Sequence, residues 1–118
     1  MNIYTKFTFS YMFLITYLSH MSQSSISDIV PEYNNIDLIL HFVEYAILGF
    51  LLFKSLSTDE LFGINSIYGA FFIGIIFGIF DELHQNFVPG RQMSLTDIFS
   101  DSLGTIFGVY ISFGFFSE

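Results

Sequence analysis

The sequence predicts an all-α membrane protein, a compact bundle of four transmembrane helices joined by short loops. Of its 118 residues, 53% are hydrophobic and only 12% charged, with a mean hydropathy of +0.62. An ordinary soluble domain carries about 25% charged residues. Seventeen Phe and seven Tyr are too many to hide in one aqueous core, since a chain this small buries only part of its surface. Four apolar runs close to the roughly 20 residues of a spanning helix account for nearly the whole chain, read as one domain, 1–118.

The first run, about 3–18, is rich in Phe, Tyr, Ile and Leu and interrupted by Thr and Ser. It has a rival reading as a signal peptide, because Lys6 precedes most of the apolar stretch. The following Leu18-Ser19-His20-Met21-Ser22 lacks an A-x-A cleavage pattern, so a retained span is preferred. Ser19 to Asp37 is polar and reads as a loop. The second run covers about 38–56, and Ser57 to Glu60 form a polar turn. The third, about 62–80, holds no charge before Asp81. Asp81 to Ser94 reads as a polar connection with a Pro89-Gly90 turn signal. The fourth covers about 95–116, with Ser94 and Asp97 as a plausible capping pair. Spanning segments must satisfy their backbone internally, so helices follow from the spans. The runs do not alternate in polarity as barrel strands would. Gly74-x-x-x-Gly78 and Gly104-x-x-x-Gly108 predict a close approach of the third and fourth helices.

Several function classes drop out. Three Lys+Arg against eleven Asp+Glu exclude a nucleic-acid partner. The absence of Cys removes disulfides, thiolate nucleophiles and thiolate metal sites. No Walker loop, dinucleotide fingerprint or H-E-x-x-H is present.

The ionisable residues converge. In an alternating four-span topology, His41 and Glu44, then Asp81, Glu82 and His84, then Arg91, Asp97 and Asp101 all fall at one membrane face. His41, Glu44, Tyr45 and Leu48 share a helix face by their i, i+3, i+4, i+7 spacing. Asp81, His84 and Gln85 do the same if the third helix continues past its span. Five carboxylates beside one Arg and two titratable His cannot all stay ionised in a poorly hydrated pocket. Some are protonated, some pair, or a cation enters. Arg91, Asp97, Gln85, His41, Glu44, Tyr45 and Asp101 are the candidate binding residues. Glu82, His84 and Asp81 are the candidates for acid–base work, although no nucleophile motif stands beside them. His41-x-x-Glu44 with Asp81-x-x-His84 offers ligand types suited to Zn, Mn or Fe. Such pairs are common on helices, so no metal site or cofactor is assigned, and a divalent ion is kept as the alternative.

The run Asp81-Glu82-Leu83-His84-Gln85-Asn86-Phe87-Val88-Pro89-Gly90-Arg91, with Asp97 and Gly104 beyond it, resembles the D-E-x-H-Q-x-F-x-P-x-R and D-x-x-x-N-x-x-G patterns of the VanZ-like family. His41-Phe42-x-x-Tyr45-x-x-Leu48-Gly49 is similar to that family's H-F-x-x-Y-x-x-L-G signature. The resemblance covers about 37–108. Asp101 stands where the family usually has Asn, and Leu38 where it often has Lys. The resemblance implies a small multi-span protein of the bacterial envelope, in a family whose founding member is associated with resistance to the glycopeptide teicoplanin.

Two functions are carried forward. The first is a non-enzymatic envelope protein that contacts membrane lipids and binds an envelope lipid or glycopeptide-related ligand. The second is a membrane enzyme acting on a lipid-linked or amphiphilic substrate through the His/carboxylate/Arg cluster. A carrier is disfavoured by four short spans without repeats. The sequence does not specify an oligomeric state.

Lys6 and Lys54 fall on one side and Arg91 on the other, which places both termini in the cytoplasm and the cluster at the outer face of the cytoplasmic membrane. The Cys-free chain makes this checkable. A single Cys at Asn86 or Ser94 is expected to react with a membrane-impermeant thiol reagent in intact cells, and one at Thr58 is not. The reverse pattern would invert the orientation.

Overall fold

The computed structural model describes residues 3–20, 34–58, 66–87 and 95–116. They form four helices: α1 (Ile3–His20), α2 (Asn34–Ser57), α3 (Ser66–Gln85) and α4 (Leu95–Phe116). The all-helical expectation holds. Three helices are long and apolar enough to cross a membrane, over Leu38–Ser57, Ser66–Gln85 and Leu95–Phe115. At 18 residues, α1 extends about 27 Å, just short of a hydrocarbon core of about 30 Å, and its Thr, Ser and Lys residues dilute its hydropathy. The molecule measures 44 × 25 × 21 Å, and the long axis matches a bilayer with its headgroup layers, about 40–45 Å.

Two boundaries differ from the sequence reading for one reason. Hydropathy marks where lipid contact begins, not where hydrogen-bonded backbone begins. Helix α2 starts at Asn34, a turn ahead of its apolar run. Helix α3 continues through Gln85, so Asp81 to Gln85 are helical and not part of a connection. Those polar side chains did not end the helix because Asp81, Glu82 and Gln85 are buried against neighbouring helices. Of the Ser19 to Asp37 loop, Ser19 and His20 end α1 and Asn34 to Asp37 open α2, while residues 21–33, the Asp59-Glu60 turn, the Pro89-Gly90 turn, Arg91 and the Ser94 cap lie outside the described residues.

The interior is more polar than the surface. Among the described residues, the buried set holds 11 polar or charged side chains and 7 hydrophobic ones, while 27 large hydrophobic side chains are exposed. Water would not tolerate so much contiguous apolar surface, whereas lipid does. Chain direction follows from end-to-end contacts. The Lys54 ammonium sits 5.0 Å above the Tyr4 ring, the Thr5 and Ser55 hydroxyls are 2.6 Å apart, and Tyr11 donates to the Glu44 carbonyl at 2.9 Å. Helices α1 and α2 are therefore antiparallel.

Helices α2 and α4 run parallel and make the most extensive contact. Ser100 Oγ donates to the Leu38 carbonyl at 2.7 Å. A Cβ built on Gly104 would collide with the carbonyl of Phe42, and one on Gly108 with that of Ala46. All three pairs are 62 residues apart, so one register is repeated at every fourth position. Gly49 approaches the Thr105 carbonyl from the α2 side in the same way. Phe42–Phe107 and Phe53–Phe113 ring pairs, at 5.5 and 5.9 Å, flank the seam.

The expected glycine contact between the third and fourth helices is half corrected. Gly74 and Gly78 of α3 do meet Thr105 and Asp101 of α4, but Gly104 and Gly108 turn to α2. Three positions on from Asp101, Gly104 lies about 60° round the helix, which carries it off the α3 face.

A methyl group at Gly108 has no room to move away, because its neighbour is backbone. Gly108→Ala is expected to destabilise the protein by about 1–3 kcal/mol. At Gly114, where an added Cβ meets nothing within 4 Å, Ala is expected to be neutral or slightly stabilising. Unfolding in detergent micelles separates the two, and equal losses at both positions would contradict the seam.

Candidate functional site

At the end where α2 and α4 begin and α3 finishes, the seam gathers a polar centre. Helix α2 supplies His41 and Tyr45, α3 supplies Asp81, Glu82 and Gln85, and α4 supplies Asp97 and Asp101. Glu82 is fully buried and Asp101 is 1% exposed. Asp81, Gln85 and His41 are also buried. Asp97 sits in the first turn of α4, where the helix dipole favours a negative charge.

His41 is the hub. Its Nδ1 lies 2.8 Å from Asp101 Oδ1. A carboxylate only accepts, so Nδ1 carries the proton and donates. That hydrogen bond fixes the tautomer and turns Nε2, on the other side of the ring, toward Asp97 Oδ2 at 3.9 Å. Tyr45 OH donates to Asp81 Oδ2 at 3.2 Å, tying α2 to α3 one position before Glu82. Asp101 lies within electrostatic reach of both Asp81 and Asp97. Its Oδ2 is buried with no hydrogen-bond partner among the described residues. A Cβ on Gly78 would stand 3.2 Å from Asp101 Cβ and 3.3 Å from Tyr45 Cε2, so the bare α3 backbone here is what admits both side chains.

The candidates named from sequence do not all join this centre equally. His41, Tyr45, Asp81, Glu82, Gln85, Asp97 and Asp101 are brought together. Glu44 shares the α2 face but stands half-buried toward α1, within electrostatic reach of Tyr11 and Tyr45. His84 is less buried than Asp81, Glu82 and Gln85 around it, so the imidazole at the heart of the site is His41. Arg91 lies outside the described residues. Ser100 and Thr105 were missed, and Gly49, quoted only within a signature, gains a packing role. Ser100 latches α4 to the Leu38 carbonyl. Gly49 admits the Thr105 carbonyl. Buried Thr105 returns a 2.9 Å hydrogen bond to the Asp101 carbonyl and packs under Gly74. The signal for Thr105 was present in the i, i+4, i+8 progression Asp97, Asp101, Thr105, which continues the polar face down α4.

His41, Glu82 and Asp97 each offer a ligand atom within 4.8 Å of the others. They form the metal-capable group among the described residues, in place of the His41/Glu44 and Asp81/His84 pairs that spacing alone proposed.

This architecture defines a class: a small helical membrane protein whose interior is polar at one end and whose outer surface is apolar. Within that class, residues 2–116 match the VanZ/LLP1 family, and the chain belongs to it. No curated protein and no solved structure matches the chain.

Removing the Asp101 carboxylate leaves the buried Nδ1–H of His41 without its acceptor, at a cost of about 1–3 kcal/mol. Asp101→Ala is expected to fall in that range, and Tyr45→Phe to lose about 1–2 kcal/mol for one hydrogen bond. Denaturant titration in micelles measures both. An Asp101→Ala variant as stable as the parent would remove the pair from the list of forces holding α2 to α4.

Proposed function

We propose that this VanZ/LLP1 protein is a four-span protein of the bacterial cytoplasmic membrane. Its polar centre, at the outer face, binds the head group of an envelope lipid or a glycopeptide-related ligand without turning it over. Any effect on teicoplanin susceptibility then follows from that binding. The observation that carries this reading is the construction of the centre: a connected set of polar side chains drawn from three helices and enclosed at one end of an otherwise lipid-facing bundle. Ionisable groups inside a membrane are costly and normally mark a functional site.

Counting α1 as a fourth span is supported by its two faces. Phe7, Phe9, Phe13 and Tyr17 project outward, Phe13 at 75% exposure. Its hydroxyls bond inward or along the helix: Thr8 to the Tyr4 carbonyl, Thr16 to that of Met12, and Tyr11 to that of Glu44.

One observation favours the enzymatic alternative, a membrane-embedded enzyme acting on a lipid-linked or amphiphilic substrate. Asp101 orients His41 as a carboxylate orients a general base, and Glu82 and Asp97 stand beyond the ring. Native mass spectrometry of detergent-extracted protein decides between the readings. Binding predicts an intact envelope lipid or glycopeptide fragment retained by the wild type and lost on Asp97→Asn. A processed product released by the wild type but not by Glu82→Gln would overturn the binding reading in favour of catalysis.

A further inference from the structure

We infer that His41, Glu82 and Asp97 form a divalent metal site of the Zn²⁺ or Mn²⁺ class, with Asp101 as the carboxylate that orients its histidine. The inference rests on reading the polar centre as a binding site and names an occupant that the ligand needs.

Geometry is the first support. The three side chains come from three different helices, yet each has a ligand atom within 4.8 Å of the other two. The His41 Nε2 to Asp97 Oδ2 separation of 3.9 Å is too long for a hydrogen bond. It is short enough for two donors to share one ion after a small side-chain shift, since bonds of about 2.0–2.2 Å put a tetrahedral donor pair roughly 3.4 Å apart. The donor set also selects the ion. Imidazole suits Zn, Fe and Ni, while two carboxylates suit harder ions such as Mn and disfavour soft ones, so a one-imidazole, two-carboxylate set fits Zn or Mn.

The second support is the His41–Asp101 hydrogen bond of 2.8 Å. A metal-bound histidine almost always gives its other ring N–H to a carboxylate or carbonyl, which fixes the tautomer and aims the lone pair. Here that proton is on Nδ1, so neutral His41 presents the Nε2 lone pair on the side where Asp97 stands. Asp101 is 1% exposed and its Oδ2 is unpartnered among the described residues. Such a carboxylate is costly unless the centre around it is electropositive.

Charge is the third. Asp81, Glu82, Asp97 and Asp101 crowd one end of the bundle. The chain has three Lys+Arg. Lys54 lies over Tyr4 at the opposite end, and Lys6 lies in the first turns of α1, at that same end. Even with Arg91 counted in full, four carboxylates and a neutral His41 leave three negative charges, of which a divalent ion cancels two. Three protein donors also leave a coordination position open. An anionic head group that the carboxylates alone would repel can bind there.

The test uses full-length protein in detergent, stripped with chelator and titrated with Zn²⁺ by calorimetry. The expected result is one ion per chain. Its Kd should weaken by about 100-fold or more in His41→Ala and Asp97→Asn, and by about 10- to 100-fold in Asp101→Asn. Glu60→Gln, in the polar turn that follows the second apolar run of the sequence, should leave it unchanged. Because His41→Ala can fail to fold, wild-type protein loaded with Mn²⁺ is examined by pulsed paramagnetic resonance, where an imidazole ligand gives nitrogen coupling. The absence of stoichiometric binding, a Kd equal in wild type and Asp97→Asn, or a Mn²⁺ signal without nitrogen coupling would overturn the site. Lipid retention is read separately by mass. Lipid retained with no ion bound sinks this inference alone, and an ion bound with no lipid retained sinks the ligand reading alone.

Discussion

The close parallel contact of α2 and α4 is the constraint on which the rest of the structure depends. Lipid supplies no hydrophobic drive for one helix to leave it for another, so association relies on packing and on interhelical polar bonds. Packing works here because Gly49, Gly104 and Gly108 let backbone lie on backbone, with dispersion gathered along the whole seam. The Ser100 bond to the Leu38 carbonyl sets the register at one end. That register sets His41 Nδ1 2.8 Å from Asp101 Oδ1.

The polar centre is expensive, and the fold limits the cost through pairing. Each ionisable side chain that enters the bundle loses hydration. Tyr45 donates to Asp81 and His41 to Asp101, so α2 supplies the donors and α3 and α4 the acceptors. Helix α3 can approach this pair because Gly78 removes the side chain that would separate it from Asp101 and Tyr45. Among the described residues, the contacts at the opposite end of the bundle include the Thr5–Ser55 hydroxyl pair and Lys54 over Tyr4. The asymmetry between the two ends makes the α3/α4 end the chemical one.

Much of this was legible without coordinates. The apolar runs located the four helices, because lipid exposure demands long apolar segments and forces them to be helical. Alternation of direction then brought His41, Asp81, Glu82, Asp97 and Asp101 to one end. The family pattern pointed to those same positions. Less legible was where helices stop: Asp81 to Gln85 look like a connection because polarity was taken for solvent exposure, yet they are helical and mostly buried.

The sequence by itself determined a membrane-embedded helical bundle with its ionisable residues at one end, since span length, alternation and residue type are local properties. Only the tertiary structure decided which partner each of those residues meets. The spacing His41, Glu44, Tyr45 says they share a face but not which helix that face meets. A rotation of about 60° separates Asp101, facing α3 and His41, from Gly104, facing α2. That rotation, and the pairing of His41 with Asp101 and of Tyr45 with Asp81, comes from how three helices fill space together, and no single helix encodes it.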